Sequence, residues 1–177
     1  MYRKLTPTFL SLLIVACAGL QRPTAEVDIP DKLKTQSNET LALIVRAKGA
    51  QIYECRASKD HAGAFEWAFV APEAALFDES GIRLGRHYAG PSWQSTDGSS
   101  IVGTVKERAD APVADAIPWL LLTVTSGGPE GFFSNVTSIQ RVNTVGGVAP
   151  KTGCSQAAIG TTARVKYRAD YYFYITT

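Results

Sequence analysis

The chain has 177 residues, 45% of them hydrophobic and 19% charged, with a formal net charge of +2. That length and balance suit one globular domain able to bury most of a core. They exclude the strongly basic surface that non-specific nucleic-acid binding or a polybasic membrane patch requires.

Arg3 and Lys4 open the chain with a short positive region, and Phe9 to Ala16 follow as an apolar run. The run has the length of a signal-peptide core and falls short of the roughly 20 apolar residues that span a bilayer. Ile14-Val15-Ala16-Cys17 matches a lipobox, in which small residues precede a cysteine that is lipidated and becomes the new N-terminus. The competing reading is an ordinary secretory signal with an incidental cysteine. Lipidation at Cys17 predicts a membrane-anchored protein of the cell envelope, since two or more acyl chains hold a protein stably where one does not. Ala18 is not an inner-membrane retention signal, so the outer membrane is favoured in a Gram-negative host; without lipid, the protein is secreted. Cleavage before Cys17 removes Arg3 and Lys4, leaving sixteen basic and sixteen acidic residues in 161. Residues 17–38, with Pro23 and Pro30, read as a flexible tether.

With Cys17 assigned to lipid, Cys55 and Cys154 remain as an even pair in an oxidising compartment. A disulfide between them closes a loop of about a hundred residues, which the chain-entropy model rates at roughly 4–5 kcal/mol. The alternative is two free buried thiols. His61, His87 and the two cysteines show no metal-ligand spacing, so no metal and no cofactor is expected.

The rest of the chain consists of short segments separated by turn signals. Leu41–Val45 is an apolar run that Gly49 ends, and Ala50–Arg56 alternates, with Gln51, Tyr53 and Cys55 on one side. Phe65–Val70 stops before Pro72. Ala75–Phe77 precedes the turn Asp78-Glu79-Ser80-Gly81, and Asp97-Gly98 introduces Ser100–Val105. Trp119–Thr125 and Val136–Val142 follow. Val165–Ile175 is the clearest strand, with Val165, Tyr167, Ala169, Tyr171, Phe173 and Ile175 on one face. Asp31–Lys48 and Ala111–Ile117 are the best candidates for helix. The pattern predicts an all-β fold, an antiparallel sandwich or barrel with little helix, over residues 39–177.

Four blocks carry a family resemblance. They are Gly49–Cys55, then Gly85-Arg86-His87-Tyr88-Ala89-Gly90-Pro91-Ser92-Trp93 with Asp97-Gly98-Ser99, then Gln140–Pro150 with Cys154, and finally Tyr167–Tyr174. Together they resemble the domain-of-unknown-function family catalogued as 3455, from about Ile29 to the C-terminus. The resemblance implies an exported domain of bacteria and fungi without an established activity. Some fungal members carry the label malate dehydrogenase, but this sequence lacks the Gly-rich strand-to-helix phosphate fingerprint and the alternating βα pattern of such enzymes.

The candidate site residues are His87, Trp93, Arg141 and Asn143. His87, between Gly85 and Gly90, suits a general base, a metal ligand or a hydrogen-bond partner of a sugar; its structural role would be to satisfy a buried carbonyl. Trp93 suits stacking on a sugar ring or packing in the core. Arg141, with Asn143 and Thr144, suits clamping a carboxylate or phosphate; otherwise it pairs with a structural carboxylate, with Gly146-Gly147 making a turn. Glu66, Asp78, Asp97 and Asp170 are the candidates for a carboxylate pair, and Ser92 lacks the setting of a hydrolase nucleophile. The expected function is a lipid-anchored module that binds a glycan or small molecule and no nucleic acid. The alternative is an extracytoplasmic enzyme centred on His87 with a carboxylate partner.

Overall fold

The computed structural model describes residues 27–177; the signal and Cys17 lie outside them. Eight strands follow in order: β1 (Glu39–Ala57), β2 (Phe65–Phe77), β3 (Arg83–Tyr88), β4 (Ser92–Ser95), β5 (Ser100–Ala109), β6 (Trp119–Gly127), β7 (Val136–Gly146) and β8 (Thr162–Thr176). Each pairs antiparallel with the next, and β8 returns to β1. Of the sandwich and the barrel, the chain adopts the closed up-and-down barrel. The long β1 has β2 along one edge and β8 along the other, which leaves β1 itself no free edge.

Several segments that read as separate are continuous. Gly49 does not end the first apolar run; it lies inside β1, where an added Cβ would strike the Glu73–Ala74 backbone of β2. β2 runs through Pro72, which pairs with Gln51, while β3 joins β2 only from Ala74 onward. Proline is tolerated where a strand has a neighbour on one side alone. The stretch Gly85–Trp93, to which the sequence pattern assigns no strand, is the β3–β4 hairpin, turning through a cis Gly90–Pro91 bond. Neither helical candidate forms a helix beyond a single 3-10 turn, Asp31–Leu33. Ile44 and Val45, which look like part of a helical stripe, go to opposite faces of β1. Residues 111–117 are irregular, with Pro112 inside them and Asp115 in the left-handed region at φ 55°.

The barrel has two hydrophobic cores. The inner one gathers Val45, Leu76, Trp93, Ile101, Phe133, Ile139, Tyr171 and Phe173. The second lies outside the wall, where Leu41, Ile44, Trp119, Leu121, Val142, Tyr172 and Tyr174 are covered by Leu33 with Val27 and Ile29. Residues 27–33 are therefore packed against the barrel, and the tether reading does not hold for them. Leu33 is fully buried, and its carbonyl accepts a hydrogen bond from Gln140 Nε2 at 2.6 Å. This explains why Tyr172 and Tyr174 stand on the otherwise charged face of β8: an extra segment of chain shields them from water.

The two ends differ. At one end Phe133 plugs the interior, and the β4–β5 and β6–β7 loops are tied together by Asp97. Its carboxylate accepts from the Ser99 hydroxyl (2.7 Å), the Ser99 amide (2.9 Å) and the Phe132 amide (2.7 Å). These bonds, the Ser99 hydroxyl foremost, hold the carboxyl down at about 2. The other end, where β1–β2, β3–β4, β5–β6 and β7–β8 connect, holds a cavity.

Candidate functional site

The inward-facing positions of seven strands converge on this cavity, of about 400 Å³. Gln51 and Tyr53 come from β1, Pro72 from β2, His87 from β3, Trp93 from β4, Leu120 and Leu122 from β6, and Arg141 and Tyr171 from β7 and β8. The volume falls in the range of small-molecule sites, and an eight-stranded barrel is the size that can hold one small ligand. Because β3 pairs with β2 only from Ala74 onward, the first half of β2 has β1 as its one neighbour and the wall has a notch here. Phe69 and Val70 of β2 and Val105 of β5 stay 44–54% exposed beside it. The cavity exists partly because β5 carries Gly103 on its inner face. A Cβ there would lie 2.8 Å from the Trp93 ring, so glycine is what lets the indole lie across the barrel.

His87 and Trp93 stack at 4.3 Å and 16°, and Tyr171 presents its edge to both rings at 5.2 and 5.3 Å. The Nδ1 of His87 lies 2.8 Å from the Ser92 carbonyl. A carbonyl only accepts, so this nitrogen carries the proton and Nε2 is left as an acceptor. Burial drives the imidazole pKa down to about 3; the Ser92 carbonyl opposes the shift and the Arg141 charge adds to it. His87 is thus a neutral ring at physiological pH, and the carbonyl-satisfying role is the one it fills in the fold.

Arg141 is partly buried. Its Nε and Nη2 both donate to the Pro118 carbonyl, at 3.1 and 2.8 Å, and not to a structural carboxylate. Among the described residues the ion pairs are Lys34–Asp31, Arg56–Glu66, Lys151–Asp115 and Arg164–Glu73, all away from the cavity. No Asp or Glu lines it. The Arg141 charge is felt across the interior, by His87, Tyr53, Tyr167 and Tyr171. Burial pushes all three tyrosine hydroxyls above their ordinary value, which keeps them neutral and protonated.

Several donors here lack partners in the protein. They are Gln51 Nε2, Trp93 Nε1 and the hydroxyls of Tyr167 and Tyr171, all on residues at most 3% exposed. Tyr171 lies near enough to Tyr167 and Arg141 to sense both, but makes no well-formed hydrogen bond to either. Tyr53, by contrast, donates to the Gly147 carbonyl at 2.6 Å, tying the β7–β8 loop to the rim. The Cys55–Cys154 disulfide, with sulfurs 2.06 Å apart, ties the same loop to β1, and Trp67 Nε1 donates to Thr152 within it. Gly147 permits this approach, because its φ is +86° and a Cβ would press on Tyr167 and Ile117.

His87, Trp93 and Arg141 therefore meet in one cavity, and Asn143 does not join them. A bulge between Val142 and Val145 puts Asn143 in the left-handed region, at φ 50°, and breaks the in-out alternation. Its side chain is exposed and donates to Asp170 at 2.9 Å. The other candidate carboxylates are also elsewhere: Glu66 pairs with Arg56 on the surface, Asp78 accepts the Ile82 amide in its turn, and Asp97 serves the closed end. Trp119 packs in the outer cluster, and the Ser92 hydroxyl donates to the Ala89 carbonyl. Gln51 and Tyr53 were not singled out as site residues. Their shared face with Cys55 in the alternating run was the signal that points inward.

No curated protein and no solved structure matches the chain. A family model described as "Protein of unknown function (DUF3455)" matches residues 36–175, which run from just before β1 through all but the last residue of β8. The chain belongs to that family.

Proposed function

We propose that this protein is an exported, lipid-anchored binding protein of the cell envelope whose barrel takes one small, largely apolar molecule into the cavity between His87, Trp93 and Arg141. The observation that carries the reading is the convergence of those three side chains on a cavity lined mainly by apolar groups, with unpartnered donors on the residues around it. A small molecule suits it better than a glycan. Trp93 is 1% exposed and one face of its ring is covered by His87, so it offers no open platform to a sugar. An enzyme centred on His87 is the weaker reading, because a carbonyl and not a carboxylate orients the imidazole and no acid lines the cavity. The anchor rests on the Ile14–Cys17 lipobox.

A thermal-shift screen of apolar small molecules and a glycan array test this. Small molecules should raise the melting temperature saturably in the wild type and much less in Val105→Trp, which fills the rim of the notch. Stabilisation that is equal in both proteins, or confined to glycans, would overturn the cavity assignment. For the anchor, Cys17→Ala should leave the membrane fraction or remain unprocessed; a variant still cleaved and membrane-bound would refute it.

A further inference from the structure

The charge balance of the cavity narrows the ligand further, on the assumption that the cavity binds a small molecule as proposed above. Arg141 brings a permanent positive charge to an apolar lining. Two of its five N–H groups go to the Pro118 carbonyl, and the described residues supply no counter-ion. A partly buried cation without a counter-ion is a costly arrangement, and it selects for an anion that arrives from outside. Three of the neutral groups around it are biased in the same direction, against the one acceptor left on His87 Nε2: Trp93 Nε1 only donates, and Gln51 Nε2 and the Tyr171 hydroxyl are donors without partners. The lining includes Pro72, Pro91, Ile117, Leu120 and Leu122 with the stacked His87–Trp93 pair, which suits an apolar or flat body.

We propose that the ligand is an organic monocarboxylate, with its carboxylate held by Arg141 and its apolar body lying against Trp93 and the leucines. A carboxylate presents two oxygens with about four acceptor sites, which one guanidinium fork and a few neutral donors can satisfy. A phosphate monoester brings close to two negative charges and three acceptor oxygens. The second arginine of the lining, Arg108, is exposed at the rim, and no lysine lines the cavity, so the inner charge matches a single anion.

The test compares head groups on one body. Cinnamate, 4-phenylbutyrate and decanoate, each with its amide and its alcohol, and phenyl phosphate are titrated by calorimetry into the purified full chain. Acids are expected to bind at least about tenfold more tightly than their neutral partners, the difference that charged against neutral hydrogen bonding typically makes. They should also bind more tightly than phenyl phosphate. Arg141→Gln should bring the acids down to the affinity of the amides, while Arg108→Gln should keep most of the preference. If Arg141→Gln does not fold, the wild-type ratio of acid to amide decides alone. Neutral members binding as tightly as the acids, tighter binding of phenyl phosphate, or loss of the preference in Arg108→Gln alone would each overturn the carboxylate assignment and leave the cavity-binding reading standing. Failure of every head group to bind would overturn both.

Discussion

The two ends of the barrel are built from the same kind of β-hairpin but settle their polar groups in opposite ways. At the closed end, Asp97 and Ser99 satisfy one another and the backbone of the facing loop, the Phe133 amide donates to Ser99 Oγ at 3.1 Å, and the Phe133 ring fills the interior. At the open end, unpartnered donors collect around Arg141, on Gln51, Trp93, Tyr167 and Tyr171. Buried polar groups without partners are rare in folded proteins and cost stability; among the described residues four of the six such side-chain atoms are at this end, while Trp119 Nε1 and Ser138 Oγ lie elsewhere. The contrast teaches that one end is organised for closure, while the other keeps an arrangement that a packed core would have eliminated. Sites of function are where such local inconsistency is expected.

The contrast can be broken most forcefully at the plug. Phe133→Ala should destabilise the protein by about 3–5 kcal/mol, the usual result of emptying a buried aromatic site. Because the plug lies at the far end, affinity for a cavity ligand should change little. Urea denaturation and calorimetry check the two halves of this expectation, and a large loss of affinity would show that the ends are not independent.

Acid should act on the open end. The folded-state pKa of His87, about 3, lies below its ordinary value near 6.5, so the unfolded chain binds the additional proton as pH falls. The contribution of a neutral, buried His87 is fully present above about pH 6.5 and is lost progressively as pH drops toward 3. The slope is roughly 1 kcal/mol per pH unit within that window. Denaturation midpoints measured from pH 7 to pH 4 should fall less steeply in His87→Gln than in the wild type. Parallel curves would show that this histidine is not the group that couples folding to acid here.

The smallest effect is the most discriminating. The Tyr171 hydroxyl has no hydrogen-bond partner, so Tyr171→Phe should change stability by less than about 0.5 kcal/mol or raise it. Tyr174 sits on the outer cluster and donates to Gln140 Oε1 at 2.6 Å, so Tyr174→Phe should cost about 1 kcal/mol. Thermal unfolding of the two variants side by side would sharpen the distinction between a satisfied and an unsatisfied tyrosine on the same strand.

Much of the scaffold was legible from residue patterns. The alternation in β8 correctly separated Tyr167, Ala169, Tyr171 and Phe173 from the opposite face, and the pairing of Cys55 with Cys154 followed from cysteine arithmetic and compartment. The β3–β4 hairpin was not legible, because Gly85, Gly90 and Pro91 are turn formers wherever they occur, and only the neighbouring strands extend them. Asn143 was placed in the site as part of a polar stretch with Arg141 and Thr144; a bulge, which depends on the register with β8, turns it outward.

By itself the sequence determined the all-β class, the disulfide, the inward face of β8 and three of the residues that meet in the cavity, since these depend on local periodicity and residue chemistry. Only the tertiary structure decided that the sheet closes, that residues 27–33 cover an outer core, and that Arg141 faces a cavity without a carboxylate. Closure and charge balance are properties of groups brought together from distant strands. Gln51, His87 and Arg141 span ninety residues of chain, and no short window of sequence records that they share one space.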